Sequence, residues 1–213
     1  MKIGIDVDGC LAAFNGPYVD RIIALHGDRF GEARHGAGFP AVWDYPAEYG
    51  YTEHEIGQVW KRIRKDQLFW ATLDPLPGAV EAIRRLELAR LLGYDIYFIT
   101  ARPGLFAKFQ TEGWLVDHGM ACPTVIMAAD KHTATCLLNL DVYLDDRLSN
   151  ANMVMREVRL GRMGTRVYLQ DAPYNRRPVA LMTADAVGVA ADERDPALIV
   201  VGSVGEMLAK EGL

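Results

Sequence analysis

The sequence predicts an α/β protein: a parallel β-sheet with helices on both faces, plus a small helical cap inserted after the first strand. Three observations predict it. Short apolar runs alternate with segments of helical periodicity along most of the 213 residues. Each run is continuous rather than alternating in polarity, as strands covered on both faces must be. The interval between the first two runs is several times the dozen or so residues that a crossover between parallel strands requires.

Lys2–Ile5 is the first strand, and a helix starts from Pro17, a residue suited to a first helical turn. The Gly-rich stretch from His26 to Val42 reads as loop. Ile56, Val59, Trp60 and Ile63 recur at helical spacing, which puts Trp60 on a core-facing stripe. A helix follows Pro77-Gly78 and stops at Gly93, long enough to serve as the crossover by itself. Strands at Asp95–Ile99, Thr124–Met127, Val142–Leu144, Arg166–Leu169 and Leu198–Val201 then alternate with helices at Leu105–His118 and Ser149–Leu160. The last helix opens on a capping-box pattern, Ser203-x-x-Glu206. Residues 1–14 and 76–213 therefore form the α/β core, and 15–75 the cap. The cap emerges at the carboxyl end of a strand, where open α/β sheets bind ligands, so it is placed to act as a lid.

Composition narrows the functional classes. A net charge of −5 argues against binding a nucleic-acid polymer or an anionic membrane surface, which favour basic patches. Aspartates at 6 and 8 interrupt the only apolar stretch near the N-terminus, so neither a signal peptide nor a membrane span is expected. Three scattered cysteines (Cys10, Cys122, Cys136) read as reduced thiols and a cytoplasmic location. A small anionic ligand remains possible if the chain supplies local positive charge or a metal. Homodimerisation through an apolar face of the cap or last helix is a possible assembly.

Four polar clusters follow four strands: Asp6-Val7-Asp8-Gly9, Thr100-Ala101-Arg102, Lys131, and Asp145-Asp146. Carboxyl ends of parallel strands share one edge, so these clusters can converge. Carboxylates meeting there repel unless a cation sits among them, and an all-oxygen set suits Mg²⁺. Lys131 and the Thr100 hydroxyl add the positive and polar character that a phosphoryl group needs. Competing readings are weaker. The Asp6 segment lacks the remaining oxygen ligands of a calcium loop, Cys10 has no evident activating base, and His26, His35 and His54 lack metal-ligand spacing. His132 reads as a surface neighbour of Lys131, and Tyr174-Asn175-Arg176-Arg177 as a loop at the sheet edge.

The ordered set D-x-D-G, Thr, Lys and D-D resembles the haloacid dehalogenase (HAD) superfamily of phosphohydrolases. The stretches D-x-D-G-x-L-A-x-F at 6–14, P-L-P-G-A-V-E-A at 75–82, D-K at 130–131, L-D-D-R at 144–147 and A-P-Y-N-R at 172–176 resemble its 5′(3′)-deoxyribonucleotidase branch. The resemblance implies a Rossmann-like, HAD-like core and Mg²⁺-dependent hydrolysis of nucleoside monophosphates through an aspartyl-phosphate. It implies Asp6 as nucleophile, Asp8 as acid and base, and Lys131 as the catalytic cation. Thr100, Ala101, Arg102 and Lys131 would bind phosphate, and Asp6, Asp8, Asp145 and Asp146 would hold the metal. Mammalian members of the branch carry Ser-Pro after the threonine, where this chain has Ala101-Arg102-Pro103.

Eight of the 32 residues from Phe39 to Trp70 are aromatic, against about three expected from the overall composition. Such faces can stack a nucleobase, although a small lid also needs bulky residues for its own core. Phe14, Trp43, Tyr45, Phe69 and Trp70 are the pocket candidates. The alternatives are a phosphatase for another small phosphomonoester, such as a sugar phosphate, and a phospho-ligand-binding protein without turnover.

Overall fold

The computed structural model describes residues 1–176, 195 and 197–213. Its sheet begins with β1 (Lys2–Ile5), whose Ile3 and Ile5 are completely buried. Four α-helices separate β1 from the next strand, the first three being α1 (Asn15–His26), α2 (Tyr45–Glu48) and α3 (Glu53–Ile63). Helix α4 (Ala79–Leu91) leads into β2 (Asp95–Thr100), and α5 (Ala107–Asp117) into β3 (Thr124–Met127). Helix α6 (Lys131–Leu138) precedes β4 (Val142–Asp145), and α7 (Leu148–Arg159) precedes β5 (Arg166–Gln170). Strand β6 (Ile199–Val201) and helix α8 (Val204–Lys210) close the chain.

The six strands among the described residues are all parallel, in the order β3-β2-β1-β4-β5-β6. The sequence runs outward from β1 through β2 and β3, then resumes at β4 on the opposite side. This reversal opens a crevice at the carboxyl end of β1, the usual binding place of such sheets. The register aligns Ile5 with Phe98 on one side and Leu144 on the other. Asp6, Thr100 and Asp145 therefore reach the same edge, as the strand-end clusters predict.

Residues 15–75 add no strand to the sheet. They leave and rejoin the core through a narrow neck of backbone hydrogen bonds, Ala13 N–H to the Asp74 carbonyl at 2.8 Å and Leu76 N–H to the Leu11 carbonyl at 2.7 Å. Helices α1 and α3 pack together through Tyr18, Val19, Ile22, Val59 and Ile63. Phe30 gathers Tyr51, Tyr49 and Phe39 around it at ring distances of 4.9, 5.0 and 5.7 Å, an aromatic cluster continuous with the main hydrophobic core.

Several boundaries differ from the sequence expectation. The loop from 26 to 42 contains a 3₁₀ turn at Gly31–His35. Helices α2 and α6 were not expected, being too short to display a helical period. The α6 start is nonetheless marked by Asp130, whose carboxylate accepts the Thr133 N–H at 3.1 Å. At α8, Ser203 caps Glu206 N–H as expected, but the Glu206 carboxylate reaches Gly202 N–H instead of Ser203 N–H. Among the described residues, no helix is long and apolar enough to cross a membrane.

Candidate active site

Asp6 stands one residue beyond β1 and is buried. One carboxylate oxygen accepts the Val7 N–H at 2.6 Å, and the other pairs with the Lys131 ammonium. Burial pushes the Asp6 carboxyl well above its usual range; Lys131 opposes this, and Asp145, Asp146 and Asp8 reinforce it. Lys131 comes from the first turn of α6 and is buried too. Burial disfavours its charge, but Asp145, Asp6 and Asp146 outweigh that and hold the ammonium above its ordinary value.

The two consecutive aspartates are used differently. Asp145 is saturated: it accepts from Lys131 Nζ at 3.3 Å, Tyr143 Oη at 2.5 Å, Arg147 N–H at 2.8 Å and Asn150 Nδ2 at 3.1 Å. Asp146 accepts the Tyr174 hydroxyl on Oδ2, while its buried Oδ1 has no hydrogen-bond partner among the described residues. Burial first, and the Asp145 charge second, raise the Asp146 carboxyl to about 7. Donor atoms of Asp6, Cys10 and Asp146 lie within 4.8 Å of one another. Burial keeps the Cys10 thiol protonated, because its pKa is pushed well up, so the ionisable donors of this group are carboxylates. An orphaned carboxylate oxygen facing a second buried carboxylate is a donor set that fits a hard divalent cation such as Mg²⁺.

Gly9 makes this approach possible. Its φ of 80° lies in the left-handed region, and a Cβ there would overlap the Asp146 carboxylate. Across the crevice, Thr100 closes β2 with its hydroxyl 3.5 Å from Asp8 Oδ2. Ala101 lines the same cavity. Arg102, expected to contact phosphate, has its guanidinium engaged within the protein: Nε and Nη2 donate to the Asp8 carboxylate and Nη1 to Thr111 Oγ1.

A cavity of about 150 Å³ holds Asp6, Asp8, Thr100, Lys131 and Arg102 on its floor, with Phe14, Trp43, Trp60 and Trp70 as aromatic lining. A second cavity, of about 370 Å³, shares Asp8, Phe14, Trp43, Trp60 and Arg147 with it and extends to Tyr45 and Tyr174. Of the five aromatic candidates, Phe14, Trp43, Tyr45 and Trp70 line one or both cavities. Phe69 lines neither; it packs edge-on against Phe14 and Trp70 at 6.3 and 4.9 Å. Trp60 packs against the hydrophobic core, as its place on the helix stripe predicts, and also borders both cavities, its ring stacked on Phe14 at 5.9 Å.

Two further groups at the site, Arg147 and Tyr174, were quoted from the sequence only as parts of longer stretches. Arg147 lies over the Trp43 ring at 4.7 Å, and Tyr174 meets Trp43 edge-on at 5.4 Å, so Trp43 joins the cap to the core. The signal for both was their place in the L-D-D-R and A-P-Y-N-R stretches. The sheet-edge loop does reach the site: Tyr174 bonds the Asp146 side chain, and Asn175 Nδ2 donates to the Asp146 carbonyl at 2.9 Å. Arg176 pairs instead with Asp171, and Arg177 lies outside the described residues. His132 faces Glu157 and Cys136.

Comparison with known proteins gives the family and the fold. Residues 1–186 match the family described as 5′ nucleotidase, deoxy (pyrimidine), cytosolic type C protein. The mitochondrial 5′(3′)-deoxyribonucleotidase of Mus musculus is 26% identical over 152 residues, covering 69% of this chain and 64% of the relative. The chain spans between 35% and 65% of the length of the curated relatives that it matches. Among solved structures, the magnesium-bound YfnB of Bacillus subtilis superposes with a TM-score of 0.55 at 11% identity, covering 100% of this chain and 98% of its own. CbbY of Rhodobacter sphaeroides, solved with phosphate, gives 0.53 at 20% identity, covering 100% and 99%. These two share the fold. The family match spans most of the chain, its motif residues meet at one sheet edge, and the chain belongs to the 5′ nucleotidase, deoxy (pyrimidine), cytosolic type C family of HAD-fold proteins.

Proposed function

We propose that the protein is a Mg²⁺-dependent phosphatase of nucleoside monophosphates, working through an aspartyl-phosphate on Asp6. The observation that carries this reading is the buried Asp6–Lys131 pair beside the unpartnered Asp146 oxygen, on the floor of a cavity lined by aromatic rings. The 370 Å³ neighbouring space falls within the roughly 300–1,000 Å³ of small-molecule sites. Aromatic side chains of the cap that border the catalytic carboxylates favour a nucleoside leaving group over a sugar phosphate. The adjoining Asp6 and Asp8 favour turnover over mere binding.

Asp6 attacks phosphorus with its carboxylate, and the ester bond to the leaving oxygen breaks. Asp8 gives that oxygen a proton, then takes one from the water that hydrolyses the aspartyl-phosphate. The Thr100 hydroxyl and the Ala101 amide hold phosphate oxygens, and Lys131 balances the charge of nucleophile and phosphate. Asp6, Asp146 and the Asp8 backbone carbonyl would hold the metal, while Asp145 holds Lys131 in place. Bound Mg²⁺ supplies charge neutralisation between these carboxylates and the phosphate, in a reaction that depends mainly on positioning and electrostatics. The free thiols of Cys10, Cys122 and Cys136 support a reducing, cytoplasmic setting.

The test is release of inorganic phosphate from a panel of deoxyribonucleoside, ribonucleoside and sugar monophosphates, with and without Mg²⁺. Release from nucleotides above sugar phosphates is the expected result. Mg²⁺-dependent release from sugar phosphates alone would transfer the reading to another phosphomonoester.

A further inference from the structure

Arg102 stands two residues after the phosphate-facing Thr100, yet its side chain is completely buried and its fork is filled by protein groups. Nε lies 3.0 Å from Asp8 Oδ2, Nη2 lies 2.8 Å from Asp8 Oδ1, and Nη1 lies 3.0 Å from Thr111 Oγ1. Its guanidinium also lies over the Trp70 ring at 5.0 Å. The brace is itself anchored, since the Thr111 hydroxyl donates to the Ala107 carbonyl at 2.7 Å, within α5. Among the described residues Asp8 has no comparable second partner, its other side-chain neighbour being Thr100 Oγ1 at 3.5 Å. A two-toothed guanidinium–carboxylate contact fixes the plane of the carboxylate as well as its place.

We propose that Arg102 is the positioning residue of Asp8, with Thr111 as its brace, and that it is not a phosphate ligand. The proposal rests on the phosphatase reading above. In the first half-reaction the Asp6 oxygen bonds phosphorus, the phosphorus–ester oxygen bond breaks, and the leaving oxygen takes the Asp8 proton. Asp8 is left as a carboxylate, the form that the guanidinium pairs with. In the second half that carboxylate takes a proton from water as the water oxygen bonds phosphorus. The Asp6–phosphorus bond breaks, and both side chains return to their starting states. Arg102 thus stabilises the carboxylate that ends one half-reaction and begins the other.

The ester p-nitrophenyl phosphate separates the halves, because p-nitrophenolate leaves without being protonated. Arg102→Gln is expected to retain a rapid burst of one p-nitrophenolate per active site while steady-state kcat falls about 100-fold or more, the usual size of an acid–base contribution. KM should stay within about threefold, since the lost interaction is not ground-state binding. On a deoxyribonucleoside monophosphate, whose leaving alkoxide needs the proton, the same variant should lose the burst as well. Arg102→Lys, which keeps the charge without the fork, should recover only part of kcat. Thr111→Val should give a smaller loss of the same kind, and it decides the matter if Arg102→Gln does not fold. A raised KM with unchanged kcat, or loss of the p-nitrophenolate burst in a folded variant, would overturn the proposal. Wild-type protein that turns over p-nitrophenyl phosphate but no nucleotide would remove the nucleotide reading, and the aryl ester would still decide the role of Arg102.

Discussion

Asp146 keeps one buried oxygen unpartnered while Asp145, its neighbour in sequence, is fully satisfied, and the difference follows from which way each side chain faces. Asp145 closes β4 and meets Lys131, Tyr143 and Asn150; Asp146 turns toward Asp6 across Gly9. An unsatisfied buried acceptor costs about 1–3 kcal/mol, so a site that retains one has a use for it. Gly9→Ala should therefore destabilise the fold by more than the about 1–2 kcal/mol of its left-handed backbone alone, and should abolish turnover; denaturant unfolding and phosphate release measure the two effects. A variant with wild-type stability would show that Gly9 does not set the approach. Asp6→Asn should lower kcat by at least about 1,000-fold while still binding phosphate esters, a contrast read by calorimetry with a nucleotide. At this scale the convergence of Asp6, Asp8, Thr100, Lys131 and Asp146 was legible, because each follows a strand that the sequence marks as buried. The direction of Arg102 was not legible, because it depends on Thr111 and Trp70, which converge on it from separate segments.

The cap shows how local signals hold an element together. Thr52 and Glu55 form a complete capping box at the start of α3, and Arg29 pairs with the same Glu55 carboxylate. The Arg29 hydrogen bond, followed by the Thr52 backbone, lowers the Glu55 carboxyl to about 2 from 4.5. A depressed folded-state value means that this contribution is present in full above pH 4.5 and is lost as pH falls toward about 2. Glu55→Gln should flatten the acid limb of the stability profile in that window, measured by unfolding at successive pH values; an unchanged slope would refute the assignment. Thr52→Ala should cost about 1 kcal/mol through loss of the cap. The helices of 11 to 13 residues, α3 to α5, were readable from period and punctuation, whereas α2 and α6, at 4 and 8 residues, were not. The contact of Trp60 with both cavities was missed for a related reason. Periodicity says which residues share a stripe, and the boundary between core and cavity along that stripe is set by how the cap sits on the sheet.

For the molecule as a whole, a chain with a net charge of −5 collects Asp6, Asp8, Asp145 and Asp146 at one edge of its sheet, beside Lys131. The parallel register makes this gathering possible, and Arg147, next to Asp146, lies over the ring of Trp43 at 4.7 Å. A cation bound among those carboxylates stabilises the folded state by mass action, about 2.7 kcal/mol at 100 times its Kd. Mg²⁺ should therefore raise Tm in wild type and raise it much less in Asp146→Ala; equal shifts in both would place the metal elsewhere. The measurement that tests the central claim most directly is phosphate release from deoxyribonucleoside monophosphates, followed in Mg²⁺, after chelation, and with Asp6→Asn. The account predicts turnover in Mg²⁺ that disappears on chelation and in the variant. No release from any nucleotide, or an Asp6→Asn enzyme with wild-type kcat, would contradict it.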